Sequence, residues 1–63
     1  MTVYELRKAV SEDTILWIQK ADGGYCEENE STFLSHKWDA ETVKTMYPEY
    51  YEALGVTGIT VVI

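Results

Sequence analysis

The amino-acid sequence predicts an α+β domain in which two helices pack on one face of a small three- or four-stranded sheet, in the order α-β-β-(β)-α-β. Three observations lead to this prediction: a helix-capping motif at the start, β-branched and aromatic runs in the middle and at the end, and a long stretch of helical periodicity between those runs. The chain has 63 residues, so we expect a single domain at 1–63.

The first helix is predicted to begin at Thr2. Thr2 and Glu5 have the spacing of a capping box, in which each side chain accepts a hydrogen bond from a backbone amide that the first helical turn leaves free. Val3, Leu6 and Val10 recur on one face at helical spacing. The helix should end near Val10, where turn-forming residues follow.

Two strands joined by a tight turn are predicted next. Residues 14–20 (TILWIQK) are rich in β-branched and aromatic side chains, and residues 21–24 (ADGG) supply the glycines that a hairpin turn requires. The second strand should run through 25–31, where the glutamates are typical of a sheet edge. Residues 32–38 alternate in polarity, which favours an extended or third strand, with a helical turn as the alternative.

A second helix is predicted between Asp39, a good N-cap residue, and Gly55, at the position of a C-cap glycine. Pro48 should kink this helix near Tyr47. Residues 59–63 (ITVVI) form an apolar strand, typical of a central strand or of a subunit contact. The helical periodicity between the two caps comes from Val43, Met46, Tyr47, Tyr50, Tyr51 and Leu54.

The balance of charge restricts the partners that the protein can attract. Eleven acidic residues against five basic ones give a net charge of −6, which opposes binding to nucleic-acid phosphates and to anionic lipids. A protein with a basic surface is attracted instead. No apolar run approaches the ~20 residues of a membrane span and no signal-peptide pattern opens the chain, so we expect a cytoplasmic protein.

No recognised catalytic, zinc-binding or phosphate-binding motif is present, so we expect a protein that is not an enzyme and uses neither metal nor cofactor. Cys26 with His36 is the nearest approach to a catalytic pair, and a lone cysteine is more often a core residue. We expect Trp17 and Trp38 to form the centre of the core.

The candidate binding residues are carboxylates and tyrosines. Carboxylates spaced along a strand and a helix can imitate a line of phosphates, although a run of charge is more often a solubilising face. Tyrosines near a proline can enter a partner as hot spots, or complete the core. The candidate set is Glu27, Glu28, Glu30, Asp39, Glu41, Tyr47, Glu49, Tyr50, Tyr51 and Glu52.

Two segments carry a resemblance to a known group of proteins. The opening MTVYEL with Asp13-Thr14 before the first strand, and the later YPEYY of residues 47–51 before an apolar strand, resemble small acidic proteins encoded by phages and mobile elements of gut Firmicutes. Most of those proteins have no assigned activity. Some small acidic phage proteins inhibit host defence, including anti-CRISPR proteins that occupy the DNA-binding surface of a nuclease. The resemblance implies such inhibition and assigns no functional residue.

Three hypotheses about function follow. The first is a phage-type accessory protein that binds a basic surface of a host protein by DNA mimicry and inhibits a nucleic-acid-processing or defence complex. The second is a structural or homo-oligomeric assembly module, dimerising through Ile59, Val61 and Ile63. The third is a small nuclease or hydrolase, which requires a cluster of carboxylates in a pocket.

Overall fold

The structure, a computed structural model, describes residues 1–24 and 26–63, with Cys26 described through its backbone alone. Within these ranges the chain forms one α-helix, one 3₁₀ helix and four strands. The elements in chain order are α1 (Val3–Ala9), β1 (Ile15–Gln19), β2 (Cys26–Glu30), the 3₁₀ helix (His36–Trp38), β3 (Thr45–Tyr51) and β4 (Val56–Val62).

The four strands form one mixed sheet in the order β2-β1-β4-β3. Two antiparallel hairpins, β1 with β2 and β3 with β4, meet where β1 and β4 run parallel. In that parallel pair Leu16 lies opposite Ile59, and Ile18 lies opposite Val61. β4 is therefore a central strand, as its apolar composition predicts, and β2 and β3 are the edges.

The predicted first helix and first hairpin are confirmed. The Thr2 backbone amide donates to Glu5 Oε1 at 2.9 Å, and the Glu5 amide donates to Thr2 Oγ1 at 3.2 Å, which completes the capping box. The hydrogen bond from the Thr2 backbone lowers the pKa of Glu5, and the Thr2 hydroxyl lowers it further. Gly23 has the positive φ, +84°, expected in the turn between β1 and β2.

The predicted second helix is wrong, and with it the architecture of two helices on a sheet. The segment that shows helical periodicity forms β3, an edge strand that pairs along its whole length with β4. Gly55 has a φ of +67° in the β3–β4 turn, where its amide donates to the Tyr51 carbonyl at 2.8 Å. It serves a hairpin and does not cap a helix.

Pro48 explains why the segment is a strand. A proline inside a helix loses a backbone hydrogen bond and clashes with the preceding turn, at a cost of about 3 kcal/mol. An edge strand has one side without ladder partners, so a proline with its nitrogen on that side removes no bond. Pro48 pairs with Ile59 in the middle of β3, which is such a position.

Residues 32–38 do not form the favoured strand. They make a turn followed by the 3₁₀ helix, which was the alternative interpretation. Ser35 caps this helix by accepting a hydrogen bond from the Lys37 amide at 3.4 Å. Leu34 and Trp38 are buried there, so the alternation reflects packing beneath a short helix and not a pleated strand.

The core lies between α1, the 3₁₀ helix and one face of the sheet, here called the inner face. Ile63 and Val61 are buried in it, and Ile59 packs against it. The dimer hypothesis required these three side chains to reach a second subunit, and instead they contact the chain's own interior. The buried members of the core are Val3, Leu6, Leu16, Ile18, Leu34, Trp38, Val61 and Ile63.

The segment after the 3₁₀ helix fastens α1 to the sheet. The free amides of the first helical turn are satisfied there, because Val3 donates to the Glu41 carbonyl at 2.9 Å and Tyr4 donates to the Asp39 carbonyl at 3.2 Å. An isolated bridge pairs Thr2 with residue 42. Both helical elements thus cover the inner face, and neither covers the opposite one.

The opposite face, here called the outer face, is covered by side chains from the sheet itself. Trp17 and Glu28 lie opposite each other on it, because they alternate with the buried positions of β1. Thr60 and Tyr47 continue the same row across β4 and β3. Gly58 lies beneath the Tyr51 ring.

We predict that Gly58→Ala destabilises the fold. An added Cβ would meet the Tyr51 ring and would lie 2.5 Å from the Ile15 carbonyl oxygen, so the strand or the ring must move. The expected loss is about 1–3 kcal/mol in the free energy of unfolding, measured by urea denaturation. The control is Thr57→Ala on the same strand, with a loss below about 1 kcal/mol. Equal midpoints for the two variants would contradict the prediction.

Candidate functional site

The outer face is the candidate site because no backbone element covers it and large aromatic rings lie on it. The Trp17 and Tyr51 rings are stacked, with centroids 5.7 Å apart and planes inclined by 20°. Tyr51 is 6% exposed, and Trp17 is half-buried. The Tyr51 ring occupies the space that a side chain at position 58 would fill, so the absence of a side chain at Gly58 lets the ring approach the sheet closely.

A depression of about 340 Å³ opens beside this stack, here called the aromatic depression. It is shallow and open to solvent, with apolar rings on its floor and polar groups at its rim. Its lining residues are Trp17, Gln19, Glu28, Glu49, Tyr50, Tyr51, Glu52 and Ala53.

Three carboxylates, those of Glu28, Glu49 and Glu52, belong to the lining of the depression. Glu30 lies on the same outer face, opposite Ile15. One Glu49 oxygen accepts a hydrogen bond from the Thr60 hydroxyl, which holds that carboxylate over the sheet. These side chains make the outer face strongly acidic.

The cationic side chains lie elsewhere among the described residues. Arg7 and Lys8 belong to α1, on the other side of the sheet. The ammonium groups of Lys20 and Lys37 lie 5.7 Å and 4.8 Å from the Trp38 ring centroid, which is part of the inner core. Lys44 shares a small surface hollow with Lys20. None of them offsets the carboxylates of the outer face.

The Tyr51 hydroxyl is the unusual polar group of the site. Its oxygen is buried and has no hydrogen-bond partner within the described part of the chain. Burial, the largest cause, raises the pKa of Tyr51 above its ordinary value of 10.0, and Glu49 and Glu28 raise it further. The Thr60 hydroxyl acts in the opposite direction, but its hydrogen is donated to Glu49. The phenol is therefore neutral at pH 7 and able to pair with an incoming group.

Three predicted binding residues lie away from this face. Glu27 points to the inner side, where it accepts a hydrogen bond from the Trp38 indole. Asp39 forms an ion pair with Arg7, with 2.6 Å between Oδ2 and Nη2. Glu41 is exposed beside Lys44 at the end of the sheet. The acidic side chains of the sequence are thus divided between two sides of the molecule.

The predicted tyrosines all belong to β3, and two of the three line the aromatic depression. Tyr47 is 43% exposed on the outer face, and Tyr50 is 61% exposed at the rim of the aromatic depression. Tyr51 forms its floor. Tyr50 and Tyr51 line the depression, whereas Tyr47 lies near the middle of β3 and outside that lining. The helix that was expected to present the three rings is a strand.

Trp17 is the residue whose role the sequence analysis missed. Trp38 is buried in the core as predicted, at 6% exposure, but Trp17 lies on the outer face. The signal was the alternation of β1, in which Leu16 and Ile18 are buried and the residues between them are not. Gln19 on the same side as Trp17 indicates that this side meets solvent.

A second polar cluster lies on the opposite side of the molecule and has a structural role. Arg7 Nη1 donates to the Leu34 carbonyl at 3.0 Å while Nη2 contacts Asp39. His36 Nδ1 lies 2.9 Å from Asp39 Oδ2. These contacts tie the 3₁₀ helix to α1. His36 is exposed, and the Cys26 side chain, its proposed catalytic partner, lies outside the described residues.

Two further kinds of feature are absent from the described ranges, 1–24 and 26–63. No group of three or more His, Cys, Asp or Glu side chains is arranged to hold a metal ion. No helix there has the length and apolar character needed to cross a membrane.

Comparison with known proteins places the chain in no family. No protein-family model matches it, and neither a curated protein nor a solved structure shows significant similarity to it.

We predict that Tyr51→Phe removes part of the alkaline destabilisation of the protein. Between pH 10 and the raised pKa of the folded state, the unfolded chain loses the phenol proton and the folded chain keeps it, so the wild type loses stability as the pH rises. Phenylalanine has no such proton. Near pH 7 the variant should be at least as stable as the wild type, because it loses no hydrogen bond and removes a buried hydroxyl that has no partner among the described residues.

The measurement is the urea midpoint of both proteins from pH 7 to pH 11. The two curves should run parallel up to about pH 9.5 and diverge above it, with the wild type falling more steeply. Parallel curves over the whole range would show that the phenol titrates alike in the folded and unfolded chains.

Proposed function

We propose that this chain is a small accessory protein that binds a basic surface of another protein through the outer face of its sheet. The observation that carries the proposal is the segregation of charge and aromatic area on that face. Carboxylates and tyrosine and tryptophan rings lie together there, and the described lysines and arginine lie elsewhere.

Electrostatics support a cationic partner. Carboxylates without a neighbouring cation keep their full negative potential, which steers a basic surface towards them and raises the association rate. Glu28 and Glu49 belong to the two edge strands, three inter-strand spacings apart, or roughly 14 Å. The acidic area therefore flanks the aromatic stack on both sides.

The aromatic residues support a protein as the partner. Tyrosine and tryptophan are enriched at interface hot spots because they bury a large area with little loss of side-chain entropy. Tyr47 and Tyr50, at 43% and 61% exposure, leave apolar area open to solvent. Burial of these rings against the partner would contribute affinity. The carboxylates around them would fix the orientation of the partner.

The edges of the sheet favour side-chain contacts over the addition of a partner strand. Pro48 interrupts the free edge of β3 because it has no N–H to donate. The other edge, β2, is five residues long and carries three glutamates (CEENE). The proline on one edge and the charged side chains on the other both discourage pairing with a strand of another protein. The outer face therefore remains the surface for binding.

The finer proposal is inhibition of a nucleic-acid-processing or defence complex of a host cell. A surface that binds nucleic acid is basic, so an acidic protein that covers it competes with the phosphates. The resemblance of the chain to small acidic phage proteins supports the same partner class. Four of the predicted carboxylates, Glu28, Glu30, Glu49 and Glu52, are candidates for this mimicry.

We predict that Glu28→Lys/Glu49→Lys weakens binding to a basic peptide by at least about tenfold, because each reversal replaces attraction with repulsion at the binding face. The probe is a fluorescein-labelled peptide of alternating lysine and arginine, and the measurement is its anisotropy at low ionic strength. The control is Glu12→Lys/Glu41→Lys, which has the same net charge and alters exposed carboxylates away from the outer face.

The control double variant should retain most of the wild-type affinity, since only the overall charge has changed. If both double variants lost the same affinity for the peptide, binding would depend on net charge alone, and this result would contradict a specific binding face.

A cross-linking experiment tests the inhibitory part of the proposal. A photoreactive benzoylphenylalanine replaces either Tyr47 on the outer face or Tyr4 on α1, which have similar exposures of 43% and 47%. In host cells, position 47 alone should capture a nucleic-acid-binding protein, which is then identified and purified. The unmodified chain should block binding of DNA to that protein. Identical capture from both positions, or DNA binding that continues unhindered, would refute inhibition through this face.

A further inference from the structure

The aromatic depression has three chemical features that together select one kind of side chain. Its lining includes the Trp17 and Tyr51 rings, which are stacked on each other. The electron-rich face of an aromatic ring attracts a cation, and tryptophan does so most strongly. In the chain as described, lysines occupy such positions at Trp38 but not at Trp17.

The second feature is the set of carboxylates at the rim. Glu28, Glu49 and Glu52 are within reach of the same space, and no described cation pairs with them. Glu49 is held by Thr60 through one oxygen, which leaves its other oxygen free to accept a bond. A ligand in the depression would thus be able to form charge-assisted hydrogen bonds with fixed acceptors.

The third feature is independent of the acidic residues. Tyr51 is 94% buried, as its 6% exposure implies, and its hydroxyl oxygen has no partner. A buried polar atom without a partner costs free energy, which a ligand recovers if it brings a hydrogen-bond donor to that atom. The neutral phenol, favoured by its raised pKa, accepts such a bond through its lone pairs.

We propose that the aromatic depression is a subsite for an arginine side chain of the protein partner, with the guanidinium plane on Trp17 and its N–H groups directed to Glu49 and Tyr51. A guanidinium is planar, stacks on aromatic rings and carries five N–H donors, so it satisfies all three features at once. A lysine ammonium is a compact, strongly hydrated charge. It does not stack on aromatic rings and does not form bidentate hydrogen bonds with a carboxylate. This inference rests on the proposed function and adds the identity of the side chain that the face selects.

The test compares two blocked octapeptides, one of alternating glycine and arginine and one of alternating glycine and lysine, which carry the same charge. The wild type should bind the arginine peptide about fivefold more tightly by calorimetry. In ¹H–¹⁵N spectra, the arginine peptide should shift the indole N–H of Trp17 and leave that of Trp38, which lies in the inner core.

The variant Tyr51→Phe separates arginine recognition from simple attraction. It retains the ring and removes the unpartnered hydroxyl, so its affinity for the arginine peptide should fall more than its affinity for the lysine peptide, and the preference for arginine should decrease. Its matched control is Tyr4→Phe, which removes a phenol from the exposed face of α1 and should keep the full preference.

The outcomes distinguish this inference from the proposed function. Equal affinities of the wild type for the two peptides would overturn the arginine subsite and leave the basic-surface proposal standing. Binding of neither peptide would overturn both. A preference that persists in full in Tyr51→Phe would also overturn the subsite as assigned, since the hydroxyl would then contribute nothing to it.

Discussion

The parallel pairing of β1 with β4 joins two hairpins into a single sheet, and one helix of seven residues with a 3₁₀ turn covers only its inner face. Every further feature of the molecule depends on this one-sided coverage. The inner side chains of the two central strands are buried in the core, whereas the outer side chains must be shielded from solvent in another way. Among the described elements, none lies over the outer face to provide it.

The outer face is protected by its own aromatic residues. The Tyr51 ring lies over Gly58, which has no side chain to displace it, and Trp17 on β1 stacks on Tyr51 across the intervening strand β4. This arrangement buries apolar area but leaves ring faces, a depression and a phenol without a hydrogen-bond partner. The features that stabilise the uncovered face are therefore those on which the proposed arginine subsite rests.

Net charge alone would not have located such a face. The carboxylates of the candidate set divide between the two sides of the sheet because strand residues alternate: Glu27 meets the Trp38 indole on the inner side, and Glu28 lies beside Trp17 on the outer side. Asp39 forms an ion pair with Arg7, so its charge is already neutralised within the chain. The acidic surface that remains is smaller than the sequence indicates, and no cation among the described side chains forms an ion pair with it.

The sequence by itself determined the elements that local interactions specify: the capping box of Thr2 and Glu5, the β-branched run of β1, the glycine turn that follows it, and the apolar composition of β4. Whether residues 45–51 form a helix or a strand was decided by tertiary structure. Their spacing suits a helix, but pairing with β4 places Pro48 on an edge where its missing N–H costs nothing. The same pairing brought Tyr51, Trp17 and Glu28 together, because positions far apart in the chain become neighbours only when strand order and register are set.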